Sequence, residues 1–167
     1  LSVTSIENLR GLVDIFLPDY KYSDDALALE LSNAKRYNDI AFRAISKMRE
    51  ICSRDEFDDN GLIKKGVIVR HLVLPGQVKN SLGVLDKIAE IDKKMYVSVM
   101  SQYFPTDNVK NNPKLNRRIL EAEYNEVIKH FFETGLTKGF SQDVSSAVED
   151  YVPDFDLNKL EKLLNSL

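Results

Sequence analysis

The sequence predicts an α/β fold with mostly parallel strands and helices on the outer face. Short, near-continuous apolar runs stand at Leu12–Leu17, Val67–Leu74 and Met95–Met100. Helical hydrophobic periodicity fills the gaps between them. The crossovers are long enough for each run to lie parallel to the one before it.

The first run, LVDIFL, combines β-branched and long apolar residues and is closed by Pro18-Asp19. Over residues 37–52, Tyr37, Ile40, Ala41, Ala44, Ile45, Met48, Ile51 and Cys52 repeat at helical spacing and form one apolar stripe. The polar segment 53–61 (SRDEFDDNG) reads as a surface loop. The second run, VIVRHLVL, stops at Pro75-Gly76. Ser81 is placed to cap a helix whose inner face is Leu82, Leu85, Ile88 and Ala89. The third run, MYVSVM, leads into a second polar loop over 104–118. A further helix carries Leu120, Tyr124, Val127, Ile128 and Phe131, with Gly135 placed to end it. Leu157, Leu160, Leu163 and Leu164 point to a short C-terminal helix. Such continuous apolar strands suit a sheet covered on both faces. Three strands are few for an independent α/β sheet, so residues 1–167 read as a single but incomplete domain.

Composition narrows the function classes. With 43% hydrophobic and 29% charged residues the chain is not of a disordered type. No apolar run approaches the ~20 residues that span a bilayer. A net charge of −3 and a pI near 5.5 argue against general nucleic-acid binding. One cysteine, Cys52, excludes an internal disulfide and cannot alone hold zinc or an iron–sulfur cluster. No basic-then-apolar signal follows Leu1, so the expectation is a cytoplasmic, soluble portion of a longer protein. Charge is uneven. Residues 61–120 carry 11 basic and 4 acidic side chains, whereas the flanking segments are acidic. That is the pattern either of complementary solvated faces or of a basic middle that meets an anion.

In parallel α/β folds, functional side chains gather at the carboxyl ends of strands. Strand alternation sets Val13, Ile15, Leu17, Asp19 and Lys21 on one side, an apolar row ending in an acid and a base. Arg70 falls in mid-strand with Ile68 and Leu72 on its own face. A guanidinium buried there demands an anionic ligand or a structural partner such as Asp14 or Asp19. Its fork suits carboxylate or phosphate. Ser98 occupies an otherwise apolar row and reads as a satisfied hydroxyl. His71 points to the face opposite Arg70 and reads as a packed core histidine. His130 lies off its helix's apolar stripe and reads as solvated. Cys52 reads as an inert buried thiol. No Ser–His–Asp arrangement and no His/Cys cluster at metal-binding spacing is present, and no tightly bound metal is expected.

Three phrases carry a family resemblance: DIFLPDYKYSDDALALELSNA, then GVIVRHLVLPGQVKNSLGVLDKIAEI, then YVSVMSQYFPT with LNRRILEAEY. Over residues 12–156 they resemble the C-terminal half of radical S-adenosylmethionine proteins of the pyruvate formate-lyase-activating enzyme type. The resemblance implies a partial (β/α) barrel, S-adenosylmethionine and a [4Fe–4S] cluster in the full-length parent, and a glycyl radical enzyme as partner. It assigns cosubstrate contacts to Asp19 and Lys21, the family's Asp-x-Lys pair, and to Arg70, the arginine before the Pro-Gly turn. The sequence departs from the family at three places. The Cys-x3-Cys-x2-Cys motif and the glycine-rich segment are absent, and Gln102-Tyr103-Phe104 stands where activating enzymes carry Pro-Tyr-His. This portion is therefore expected to be catalytically inactive alone, with no catalytic residue and no bound cofactor of its own.

A non-catalytic module docking a partner through an open sheet edge is the alternative, and a Schiff-base role for Lys21 is a third. Removing half a barrel exposes an edge and an apolar row, so association into a homo-oligomer is expected. The competing outcome is a plug formed by the tail after Gly139, through Phe140, Val144, Val148, Tyr151, Val152 and Phe155.

Overall fold

The computed structural model describes residues 2–141. The expected C-terminal helix and the tail plug lie outside the described residues. The chain runs through α1 (Val3–Glu7), β1 (Ile15–Phe16), α2 (Asp25–Ser32), α3 (Tyr37–Ile51), β2 (Glu56–Phe57) and β3 (Ile63–Leu72). It continues through α4 (Val78–Ile91), β4 (Tyr96–Met100), α5 (Glu121–Glu133) and β5 (Gly139–Ser141). This is a mixed α/β fold built on an open sheet of order β1-β3-β4-β5. Those neighbours are all parallel, whereas β2 pairs antiparallel with the start of β3. The polar segment 53–61 thus contains a short strand where a loop was expected. No helix among the described residues is long and apolar enough to cross a membrane.

The two faces of the sheet differ. Val67, Val69, His71 and Val73 of the β3 run, with Val97 and Val99 of β4, are buried against the helices. That layer presents Ile45 and Met48 from α3, Val84, Leu85 and Ile88 from α4, and Tyr124, Val127 and Phe131 from α5. Among the described residues the opposite face stays partly open: Ile15, Ile68, Leu72, Tyr96, Ser98 and Met100 are half-buried and Leu17 is exposed. At the strands' amino end, the Phe57 ring packs on Tyr96 at 5.1 Å, and the Lys138 ammonium lies 5.1 Å from the Tyr96 ring centre.

Several boundaries move for physical reasons. The first apolar run shrinks to two ladder residues because Leu12, 78% exposed, precedes the sheet. Pairing resumes at Asp19, which bridges Arg70 in parallel. Helix α2 begins where the Asp24 carboxylate accepts the Ala26 amide at 2.8 Å. Helix α4 starts at Val78, so Ser81 lies inside it, fully buried, rather than capping it. Gly135 ends α5 as expected, with φ +85°.

One glycine is required by its surroundings. Gly66 has φ +144°, and a Cβ there would collide with the Asp55 carboxylate. That carboxylate accepts the Val67 amide at 3.2 Å and the Arg49 guanidinium at 2.8 Å. Gly66→Ala is expected to destabilise the fold by more than about 1 kcal/mol in urea unfolding. An unchanged midpoint would contradict the required conformation.

Candidate functional site

The sheet carries its polar groups at the carboxyl ends of the strands. Arg70 occupies the central strand β3, opposite Ser98 of β4 on one side and Asp19 on the other, so these three residues form one cross-strand row. The bridge is closed by the Arg70 amide donating to Pro18 O at 2.8 Å and the Tyr20 amide donating to Arg70 O at 2.9 Å. Across it, Arg70 Nη2 meets Asp19 Oδ1 at 2.8 Å. Lys21 follows two residues later, is exposed and, among the described residues, forms no ion pair. The Arg70–Asp19 pair therefore stands on the face that also carries the half-buried Ile68, Leu72 and Met100.

Arg70 is not buried as expected. Its side chain is 45% exposed and that of Asp19 37%. The guanidinium stays hydrated because, among the described residues, no helix layer covers its face. Of the two structural partners considered for it, Asp19 is the one it meets. An ion pair this exposed contributes little to stability, about 0–1 kcal/mol. The arrangement matches what a carboxylate- or phosphate-bearing ligand with an apolar body requires: a fork beside apolar side chains.

The segment carrying Asp19 and Lys21 is held by side chains of β3, α3 and α4. His71 Nδ1–H donates to Tyr20 O at 2.8 Å, and its Nε2 accepts the Ser81 hydroxyl at 2.8 Å. Burial pushes the imidazole pKa down to about 4, so it is neutral. Asn80 Nδ2 donates to Lys21 O at 2.9 Å, while its Oδ1 accepts the Ser23 amide at 2.8 Å. Tyr37 Oη donates to Asp19 O at 3.1 Å and accepts the Lys21 amide at 2.9 Å. Neither Tyr37 nor Asn80 was singled out as a site residue. Tyr37 heads an apolar stripe and Asn80 follows no periodic pattern, so only three-dimensional contact identifies them.

The neighbouring turns are fixed by one acid. Glu123 accepts the Gly76 amide at 2.7 Å, the Leu120 amide at 2.9 Å and two Arg117 bonds at 2.7 and 2.8 Å. Arg117 beside it pushes its carboxyl down to about 2, with the two backbone amides adding to the effect. After β4, Tyr103 and Gln102 are half-buried, and Arg118 lies over the Phe104 ring at 5.5 Å. His130 corrects its expected solvation: it is only 24% exposed and its Nε2 meets Asp86 Oδ1 at 2.8 Å. Cys52 is 1% exposed on the helix side, where burial raises its thiol pKa. Among the described residues, no three His, Cys, Asp or Glu side chains gather to hold a metal ion.

No family model matches the chain, and no solved structure matches it. An uncharacterized protein of Methanocaldococcus jannaschii is 30% identical over 130 residues, a match covering 77% of this chain. The same match covers 34% of the archaeal protein, so the chain spans about a third of the length of the curated relative it matches.

Proposed function

We propose that this chain is the C-terminal part of a radical S-adenosylmethionine enzyme of the glycyl-radical-activating type, a partial (β/α) barrel that contributes cosubstrate contacts. The observation carrying this reading is the row Asp19–Arg70–Ser98 on an open sheet face, with Lys21 beyond it at the strands' carboxyl ends. A methionine carboxylate fits this set. Arg70 keeps donors free beyond its bond to Asp19, and Lys21 supplies a second cation. When bound, S-adenosylmethionine would supply hydrogen-abstracting radical chemistry, with the electron for it coming from the cluster held elsewhere in the protein. The residues of this chain bind and orient its carboxylate end, and Asp19 holds the guanidinium in place.

An iron–sulfur cluster does not fit the residues present. The one cysteine is buried on the helix side, with its thiol donating toward Asp14 O at 3.5 Å. In this reading the cluster belongs to another part of the protein, and this portion is inactive without it. The partner is a glycyl radical enzyme and the compartment the cytoplasm. The open face supports self-association of the chain when it is isolated.

Calorimetric titration of the complete enzyme with S-adenosylmethionine tests the reading. There Arg70→Ala is expected to weaken binding by roughly 1.5–3 kcal/mol, the loss of one charge-assisted contact. Unchanged binding by that variant counts against it. The exposure of Leu12 and Leu17 on either side of the outer strand β1, 78% and 54%, favours the second reading, an interaction module docking through that edge. In that case Arg70→Ala leaves partner capture unchanged.

A further inference from the structure

The backbone from Asp19 to Lys21 has the hydrogen-bond alternation of a strand with neighbours on both sides, yet only one of those neighbours is a strand. Tyr20 turns both its polar groups inward, donating its amide to Arg70 O at 2.9 Å and accepting His71 Nδ1–H at 2.8 Å. The Asp19 carbonyl and the Lys21 amide turn the other way, toward the outer edge. There both meet a single atom, Tyr37 Oη, at 3.1 and 2.9 Å. We propose that Tyr37 is the positioning residue of the site: its phenol stands in for a missing strand and holds Asp19 and Lys21 on the open face. The role assigned to the held side chains rests on the cosubstrate-binding reading above.

Three further observations support the assignment. The Tyr37 ring is held independently of its hydroxyl, edge-on to Tyr22 at 5.2 Å and tilted against Tyr20 at 6.4 Å. The oxygen is thus delivered by a fixed lever from the start of α3. Burial raises the phenol pKa, so the proton given to Asp19 O stays in place. Beyond Lys21 the same task passes to Asn80, which takes Lys21 O and the Ser23 amide. The short Asp-x-Lys segment is therefore fixed from α3, β3 and α4 at once. Without the hydroxyl, two backbone groups revert to solvent and the spacing of Lys21 from Arg70 loosens.

The test uses the full 167-residue chain with Tyr37→Phe, which keeps the ring. Tyr22→Phe is the control, since that hydroxyl bonds Ser32 at 2.8 Å and touches nothing between Asp19 and Lys21. Two readouts are taken: hydrogen exchange of the Lys21 amide in that chain, and S-adenosylmethionine titration of Tyr37→Phe, Lys21→Met and the double variant in the complete enzyme. Tyr37→Phe is expected to lose Lys21 amide protection selectively and to weaken binding about tenfold. The double variant is expected to lose less than the sum of the single losses, because Tyr37 acts in part through the Lys21 side chain. Additive losses, or losses equalled by Tyr22→Phe, overturn the proposal and leave the binding reading standing. If the unsubstituted complete enzyme binds no S-adenosylmethionine, the binding reading falls. The clamp then stands or falls on exchange alone, and retained Lys21 protection in Tyr37→Phe overturns it.

Discussion

Replacing Arg49 by methionine is expected to lower the unfolding free energy by about 3–5 kcal/mol. Arg49 Nη1 meets Asp55 Oδ1 at 2.8 Å and its Nη2 meets Asp92 Oδ2 at 2.8 Å, with side-chain exposures of only 10% for Arg49 and 3% for Asp55. A third bond runs to Cys52 O at 3.3 Å. One guanidinium thus ties the end of α3 to the approach to β2 and to the turn after α4. Its loss strands the Asp55 carboxylate in a dry site with the Val67 amide as its remaining partner. Adding Asp55→Leu removes that stranded charge and should recover part of the loss, because an apolar pair is cheaper to bury than one unpaired ion. Urea unfolding of the single and double variants measures both steps. A loss below 1 kcal/mol for Arg49→Met would show that this pair does not organise the fold.

Acid should weaken the protein before its carboxylates titrate, through His71. Burial holds its folded pKa at about 4 against an ordinary 6.5. A depressed folded pKa means that the unfolded chain takes up the proton first. The stabilising contribution is therefore complete above pH 6.5 and is lost as pH falls from 6.5 toward 4. Over that window the loss approaches about 3 kcal/mol. Glu123 acts lower, since its contribution is present above its ordinary 4.5 and disappears as pH falls toward about 2. Urea midpoints between pH 7 and 4.5 thus follow His71. His71→Gln should flatten the dependence. A flat profile for the unsubstituted protein would contradict a neutral buried His71.

What was legible in the sequence is what local periodicity encodes. The opposite facing of Arg70 and His71 follows from the two-residue period of a strand. The α3 stripe follows from helical spacing, and the stop at Gly135 from backbone freedom. What was not legible depends on a second layer. Whether Arg70 is buried is decided by what covers its face, and a guanidinium in mid-strand reads the same in either case. Helix α2 escaped because its buried residues, Leu27 and Ala28, are adjacent and form no stripe. Its Asp24 cap was the usable signal. Ser81 carries capping chemistry but serves His71, a partner ten residues away on another element. Asp19 and Lys21 were legible as residue types at a strand end, whereas the bonds that aim them come from Tyr37, His71 and Asn80.

The adjacency of Arg70 and His71 bears on how faithfully the chain finds this structure. A slip of β3 by one residue past β1 and β4 would turn the guanidinium into the helix layer and the imidazole out to water. The guanidinium would then lose Asp19, and Ser81 its imidazole partner. The error is thus penalised on both faces by the same two residues. Apolar strands of similar side chains tolerate such slips. Here the charged residue acts as a register key, setting the alignment of the sheet during folding whatever it binds afterwards.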